Sequence, residues 1–253
     1  MTWRSPAYLT FKANIARQAS FHEMVQEQIT WMTAEVSAVR REAERIAAGE
    51  IPSSADEMFA MMRRHGEVKQ RVADFEAQFG FLNEWDCVMV VTFTETYLQD
   101  VLAYFAALDS RLMGDSEQSA TYAEIAAAGS VEALAAELRD RWARNFVDDG
   151  GPRRWIGRLR RMGASALSED LVPTMEELWG VRHLVVHRAG AIAHDFLRRH
   201  PQLGGTVGEQ IRLAEDAVTN YVLAAWAFVE SVDGYFALRY ADRLPAGDAG
   251  KTQ

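Results

Sequence analysis

The sequence predicts an all-α protein built as a helical bundle, and three observations lead to that fold class. Apolar residues recur at steps of three and four through most of the chain, which is the spacing of one helix face. No stretch shows the strict alternation of a half-buried strand, and no repeat of fixed period indicates a solenoid. The chain has 253 residues, 49% of them hydrophobic. It can therefore bury a core, either as one large domain or as one domain with a helical extension.

Residues 1–80 are predicted to form a helical hairpin that extends from the main domain. Two apolar seams with coiled-coil spacing predict its two helices, and a break at residues 50–55, which contains Pro52, separates them. Because both seams have the same spacing, they are expected to pack together. His22 and His65 lie along these helices and are interpreted as structural. The first seam consists of Val25, Ile29, Met32, Val36, Val39, Ala43 and Ile46, and the second of Met58, Met61, His65, Val68, Val72, Phe75 and Phe79.

Residues 81–244 are predicted to form the main helical domain, followed by a disordered tail over residues 245–253. Its first helix carries apolar residues from Cys87 to Leu112, and polar groups that include Glu95 interrupt the seam. Polar side chains on a buried helix are expected to contact a polar partner elsewhere in the fold. Shorter helical pieces follow, at residues 122–128, 131–146 and 155–162.

The second half of this domain contains two longer predicted helices. One covers residues 171–187, with Pro173 in its first turn, where a missing amide costs nothing, and Ala189-Gly190 as its stop. After a glycine-containing loop near residues 204–208, the apolar spacing from Val218 to Phe236 predicts the last helix.

The charge and the cysteine content limit the classes of protein to which this chain can belong. A formal charge of −9 argues against nonspecific coating of nucleic acid, so RNA binding would need a local basic surface. The single cysteine, Cys87, cannot form an internal disulfide. The longest apolar runs are much shorter than the roughly 20 residues of a membrane span, and the N-terminal stretch lacks the apolar core of a secretory signal. A cytoplasmic protein without a membrane partner is expected.

Residues 182–188 have the sequence Arg-His-Leu-Val-Val-His-Arg, in which an arginine and two histidines interrupt an apolar helix near its C-terminal end. His183 and His187 are four residues apart and therefore share one face, whereas Arg182 and His187 diverge by about 140° on an ideal helix. One chain is not expected to bring all three groups to one point. A two-fold dimer, in which the same helix of each subunit faces its copy, is expected to do so.

These residue types suit RNA cleavage by the ribose itself. A base removes the proton of the 2′-hydroxyl, and a fixed cation stabilises the charge that builds on the phosphoryl group. Histidine has an unperturbed pKa of about 6.5, so one copy can be neutral and another protonated near pH 7. The macrodipole at the C-terminus of a helix favours the protonated form. The reaction needs neither a metal nor another cofactor.

Arg182, His183 and His187, followed by Arg188-Ala189-Gly190, resemble the Arg-x4-6-His signature of the HEPN superfamily, in which Asn, Asp or His commonly follows the arginine. The stretch of residues 191–213 also resembles prokaryotic HEPN proteins related to RNA-repair and phosphatase-associated systems, the RiboL-PSP-HEPN-like group. That stretch carries Phe196, Pro201, Gly204-Gly205 and Ile211. The resemblance covers about residues 81–244.

The resemblance implies a dimeric α-helical bundle with metal-independent endoribonuclease activity that leaves 2′,3′-cyclic phosphate and 5′-hydroxyl ends. It implies His187 as the general base or acid, Arg182 as the cation that binds phosphate and stabilises the transition state, and His183 as the residue that orients them. Many members are toxins or antiviral effectors. An RNA substrate, a homodimer with the site at its cleft, and a cognate antitoxin or regulator are therefore expected.

Other interpretations of the motif remain open. Arg182 could instead form a structural ion pair with Glu95, Glu176 or Glu177, and Glu95 could also hold Arg182 in place in an active enzyme. His183 could be a hydrogen-bonded structural histidine. The whole protein could be a catalytically silent HEPN-fold module that binds RNA, a nucleotide or a protein, or a scaffold organised around the N-terminal hairpin.

Two further clusters have competing interpretations. His183 and His187 have the spacing of helical zinc ligands, and His194 and His200 follow, but the neighbouring arginines would repel a dication, so no metal site is predicted.

An arginine cluster around Trp155 could contact an RNA backbone, with the indole stacking on a base. The near-helical apolar spacing there favours a solvated helix face. The cluster consists of Arg153, Arg154, Arg158, Arg160 and Arg161.

Overall fold

The computed structural model describes residues 3–50, 54–114 and 119–244, and this part of the chain has the predicted all-α fold. The predicted tail over residues 245–253 lies outside the described residues. Short 3-10 turns cover Ser110–Met113, Pro201–Leu203 and Ala241–Arg243. The α-helices are α1 (Pro6–Ala47), α2 (Ala55–Phe79), α3 (Leu82–Leu108), α4 (Tyr122–Ala127), α5 (Val131–Asp148), α6 (Gly151–Arg161), α7 (Leu171–Arg188), α8 (His194–Arg199) and α9 (Glu215–Arg239).

Residues 16–83 form one compact unit, made of most of α1 together with α2. Its predicted seams are buried or half-buried apart from Met58, which is 44% exposed. Ser54 begins α2 with a capping box, in which its hydroxyl accepts from the Glu57 amide and the Glu57 carboxylate accepts from the Ser54 amide. Arg64 and Glu35 form an ion pair of 3.3 Å between the two helices. The residues of the two predicted seams thus lie mainly on the less exposed sides of α1 and α2.

The second compact unit contains residues 84–244 and also the described residues before residue 16. The predicted boundary at residue 80 did not assign the start of α1 to this unit. The physical reason is aromatic packing, because the ring of Phe11 lies 5.9 Å from both Tyr97 of α3 and Trp226 of α9. Since the predicted seam began at Val25, it gave no sign of these earlier contacts.

Large aromatic side chains fill the core of the second unit. Phe105 of α3 stacks on Phe236 of α9 with ring centroids 4.7 Å apart. Trp155 of α6 is fully buried, donates its indole N–H to the Val147 carbonyl at 2.9 Å, and meets Trp179 of α7 edge to face. A buried tryptophan needs such a hydrogen-bond partner. These contacts position α7 between α6 and α9.

The C-terminus of α7 ends at the predicted stop. Ala189 has a left-handed φ of 48°, Gly190 has a φ of 80°, and the Gly190 amide donates to the Leu184 carbonyl at 2.9 Å. The left-handed φ of Gly190 is one that L side chains rarely adopt, so this position favours glycine. An isolated β-bridge between Ala191 and Gln210 then ties the chain after α7 to the strand-like stretch before α9.

The sequence pattern did not predict α8, which follows this turn. No helix in the described ranges is both long and apolar enough to cross a lipid bilayer.

A buried polar contact joins the start of α1 to α9. Asp233 is fully buried and accepts hydrogen bonds from the Ser5 hydroxyl and the Ser5 amide, the latter at 3.3 Å. Nη1 of Arg4 lies 3.6 Å from the same carboxylate. Burial raises the pKa of Asp233, and its contacts with Ser5 and Arg4 oppose that rise. Contacts with Ser5 and Arg4 therefore offset the free-energy cost of burying this carboxylate.

We predict that Asp233→Ala lowers the free energy of unfolding by about 2–4 kcal/mol, because it leaves buried donors of Ser5 and the charge of Arg4 without their acceptor. Urea denaturation followed by circular dichroism measures this loss. Asp242→Ala, at an exposed position, is the control and should change stability by less than about 0.5 kcal/mol. Equal losses in the two variants would show that the contact does not anchor α1.

Candidate functional site

The histidines of the motif form an exposed pair near the C-terminus of α7. His183 and His187 are both exposed, and their ring centroids lie 4.8 Å apart with 46° between the ring planes. The four-residue spacing of the sequence predicts this arrangement. The two imidazoles therefore present adjacent nitrogen-bearing rings to solvent on one helix face.

Gly180 lies on the same face of α7 and allows α8 to approach closely. Gly180, His183 and His187 are spaced at i, i+3 and i+7. A Cβ at Gly180 would lie 3.0 Å from Nε2 of His200 and 3.1 Å from the Phe196 ring. The Phe196 and His200 rings are themselves 5.0 Å apart. The C-terminal end of α8 thus packs on α7 one turn before the histidine pair.

Sequence reasoning missed this contact. A signal was present, because an isolated glycine inside an otherwise helical pattern usually has a packing reason. The pattern could not reveal which segment packs there. The contact joins residues about 20 positions apart through the turn at Ala189-Gly190 and the short helix α8.

Arg182 is less exposed than the two histidines. It is half-buried, and its Nε is buried without a hydrogen-bond partner among the described residues. Nearby, the indole N–H of Trp179 donates to Oε1 of Glu95 at 3.1 Å. Burial raises the pKa of Glu95, while the positive charge of Arg182 and the Trp179 hydrogen bond oppose that rise. Glu95 and Arg182 are thus electrostatic neighbours at the inner side of α7.

The two other candidate partners of Arg182 are engaged elsewhere. Glu176 makes a two-pronged contact with Arg153, with nitrogen–oxygen distances of 2.8 and 2.9 Å. Glu177 accepts from the Tyr221 hydroxyl at 2.5 Å and also from Gln202. Of the three carboxylates that the sequence suggested, Glu95 is therefore the one whose electrostatics involve Arg182.

The electrostatics around His183 differ from the expectation for a helix C-terminus. Its pKa lies below the ordinary value of 6.5, mainly because its ring is partly desolvated and also because the charges of His187, Arg188, Arg199 and Arg182 are positive. This direction is opposite to the one that the helix macrodipole favours. His183 is accordingly neutral at pH 7.

The four histidines between residues 183 and 200 do not form a metal-ligand cluster. His194 is exposed at the start of α8, whereas His200 is buried against Gly180. Across the described ranges, no three residues of the types His, Cys, Asp and Glu converge as ligands.

Four of the five α6 arginines form ion pairs with carboxylates of the same chain. Arg153 pairs with Glu176, both Arg154 and Arg158 pair with Asp149, and Arg160 pairs with Glu169. Trp155 is fully buried and cannot stack on a base. The structure therefore agrees with an amphipathic helix face and contradicts base stacking by this tryptophan.

Two clefts of the second unit lie away from the motif. One has a volume of about 540 Å³ and lies between the loop after α6 and the outer side of α9, beside Tyr235 and Leu238. The other, of about 320 Å³, lies beside Arg153 and Pro173. Neither is lined by Arg182, His183 or His187. His183 and His187 are exposed within one chain.

His200 gives a pH-dependent prediction. Burial lowers its pKa below 6.5, and Glu177 opposes this shift. Because the unfolded chain then binds the proton more readily than the folded one, the free energy of unfolding falls as the pH decreases from 6.5 through the folded-state pKa. We predict that His200→Gln loses less stability between pH 7.5 and pH 5.5 than the wild type, as measured by urea denaturation.

His194→Gln is the matched control for this experiment, since it removes an exposed histidine from the same helix. It should keep the full acid-induced loss of the wild type. If His200→Gln also kept the full loss, burial of a neutral imidazole at this position would be refuted.

No protein-family model, no curated protein and no solved structure matches this chain. Function must therefore be inferred from the arrangement around α7. That arrangement consists of an exposed histidine pair, an arginine with a buried unpaired nitrogen, and a carboxylate behind it.

Proposed function

We propose that the protein is a metal-independent endoribonuclease of the HEPN type that acts as a homodimer. The observation that carries this proposal is the exposed pair of His183 and His187, with Arg182 next to it in sequence. Two imidazoles 4.8 Å apart can exchange protons with two oxygens of one phosphodiester. A guanidinium at the same helix end can stabilise the phosphoryl group between them.

The proposed reaction is an internal transfer at phosphorus. A neutral histidine takes the proton of the ribose 2′-hydroxyl, and the oxygen forms a bond to phosphorus. The bond from phosphorus to the 5′-oxygen breaks, and a protonated histidine gives its proton to that leaving oxygen. The products are a 2′,3′-cyclic phosphate and a 5′-hydroxyl, with no net change of protons.

His187 acts in this scheme as the general base or acid, and His183 orients the reacting groups. The lowered pKa of His183 supports a neutral ring at pH 7 that both donates and accepts a hydrogen bond. Two copies of the pair across a dimer would supply one neutral and one protonated ring at the same time.

Arg182 acts as the cation, and Glu95 is its positioning residue. An arginine Nε without a partner is unusual for a buried donor. Movement of the guanidinium toward bound RNA would give it phosphate acceptors. Before RNA binds, the Glu95 carboxylate, which accepts from Trp179, keeps the charged group of Arg182 near α7.

A dimer fits the open position of the motif. Arg182 and His187 diverge around the helix, and the clefts described above lie elsewhere. Val186, which directly precedes His187 in sequence, is 47% exposed and offers an apolar contact for a second copy. The same helix from two subunits would then enclose the reacting groups.

The biological role that we propose is that of a toxin or of an antiviral or stress effector, with RNA as substrate and a cognate antitoxin or regulator as partner. The proximity of Arg182 to Glu95 equally favours a second candidate. In that candidate the arginine is structural, and the protein is a catalytically silent HEPN-fold module that binds RNA, a nucleotide or a protein.

We predict that the purified wild type cleaves RNA in excess EDTA and leaves cyclic phosphate ends. His187→Ala should slow cleavage by at least about 100-fold because it removes a proton-transfer group. Arg182→Ala should slow it by about 100- to 1,000-fold because it removes the transition-state cation. Gel analysis of a labelled RNA, with enzymatic tests of the product ends, measures these changes.

His22→Ala is the control for loss of a histidine, since His22 lies in the other compact unit, and it should cleave like the wild type. Cleavage that survives in His187→Ala would remove the proposed mechanism. Absence of cleavage by a wild type that still binds RNA would support the silent module instead.

A double-mutant cycle tests Glu95 as a positioning residue. Glu95→Gln keeps an acceptor for Trp179 but removes the charge, so cleavage should fall roughly tenfold, the scale of one charge-assisted contact in the transition state. The same change in the Arg182→Ala background should have no further effect, because the two residues act as one unit. A tenfold loss in both backgrounds, or a large loss of thermal stability, would indicate a purely structural role.

A further inference from the structure

Arginines close to α7 differ in whether they form ion pairs. Four of the five arginines of α6 do so, as described above, and Arg198 of α8 pairs with Asp195 at 3.1 Å. Arg188 and Arg199 are exposed and have no carboxylate partner within the described ranges. The Nε of Arg199 donates only to the main-chain carbonyl of Asp195, at 3.2 Å. These two guanidinium groups therefore remain available to an anion.

Arg188 and Arg199 border the histidine pair, at opposite ends. Arg188 directly follows His187 at the C-terminus of α7. Arg199 directly precedes His200, which packs on Gly180, one turn before His183 on the same helix face. From the level of Gly180 to Arg188, the helix rises about 12 Å. That span is longer than one phosphodiester group can bridge.

The charges that act on His183 agree with this placement. They come from His187, Arg188, Arg199 and Arg182, and all of them are positive when these groups are protonated. In a chain with a formal charge of −9, such a field is local. The positive groups around His183 therefore form a local basic surface, which an acidic protein needs if it is to bind RNA.

We infer that Arg199 and Arg188 bind the backbone phosphates on either side of the phosphodiester that faces His183 and His187. The inference rests on the proposed ribonuclease function and defines its substrate as a continuous RNA strand longer than a dinucleotide. Phosphate contacts fix the register of a strand and do not read its bases. This part of the site therefore selects for strand length and not for sequence.

The experiment compares Arg199→Gln and Arg188→Gln with Arg198→Gln, a matched control in which the neighbouring arginine of the same helix is already paired. His187→Ala serves as the background for binding, so that RNA is not cleaved. Fluorescence anisotropy measures the affinity for a single-stranded RNA of about 12 nucleotides over a series of salt concentrations. Thermal unfolding verifies that each exposed substitution leaves the fold intact.

Loss of one phosphate contact lowers the slope of log affinity against log salt by about 0.7 for a single strand. We expect this reduction in Arg199→Gln and in Arg188→Gln but not in Arg198→Gln. In the His187-intact protein, kcat/KM for the long RNA should fall about tenfold in the first two variants. For a dinucleotide the fall should be clearly smaller, because a dinucleotide has no flanking phosphates.

An independent readout tests the placement of Arg199. Proton NMR titration of His183 should give a pKa that moves toward 6.5 in Arg199→Gln and does not move in Arg198→Gln. Unchanged His183 titration in Arg199→Gln would overturn the placement.

The outcomes separate this inference from the proposed function. Cleavage that depends on His187, combined with salt slopes that are equal in all three variants, would overturn the phosphate contacts and leave the nuclease. Salt slopes that depend on Arg199 and Arg188, without cleavage by the wild type, would support the phosphate contacts in a silent RNA-binding protein. If the 12-nucleotide RNA does not bind at all, both are wrong.

Discussion

The close approach of α8 to α7 at Gly180 is the constraint on which the candidate site depends. Only a residue without a side chain lets the Phe196 and His200 rings come this near to the helix. Because these rings hold the end of α8, the same contact determines where Arg199 lies relative to the histidine pair. A methyl group at position 180 would lie 3.0–3.1 Å from these rings, so the rings would have to move by a few tenths of an ångström. Substitution at Gly180 is therefore expected to shift the end of α8, and with it Arg199, slightly.

The inner and outer sides of α7 have different physical roles. On the inner side, Trp179 joins the aromatic core and donates to Glu95, whose buried carboxylate lies in the field of Arg182. On the outer side, the histidines remain in water. One helix thus combines rigid burial with exposed titratable groups, which is how a protein fixes the geometry of a site without losing access to it.

The sequence predicted the fold well and the site only in part. Spacing of apolar residues predicted the long helices, and the stop at Ala189-Gly190 was read correctly, because both are local properties. The proximity of His183 and His187 is equally local. By contrast, the packing of α8, the pairing of Glu176 and Glu177 with other groups, and the inclusion of Phe11 in the main core are contacts between residues distant in sequence. Composition and periodicity carry no information about them.

The division of the larger unit between the two ends of the chain affects how the protein folds. The hairpin of residues 16–83 is, in topological terms, an insertion between two segments of that unit. Ser5 bonds to Asp233, 228 residues later, so on the ribosome the start of α1 must wait for α9 to emerge. Contacts of such high sequence separation form late and slowly. The hairpin, whose contacts are local, can form first.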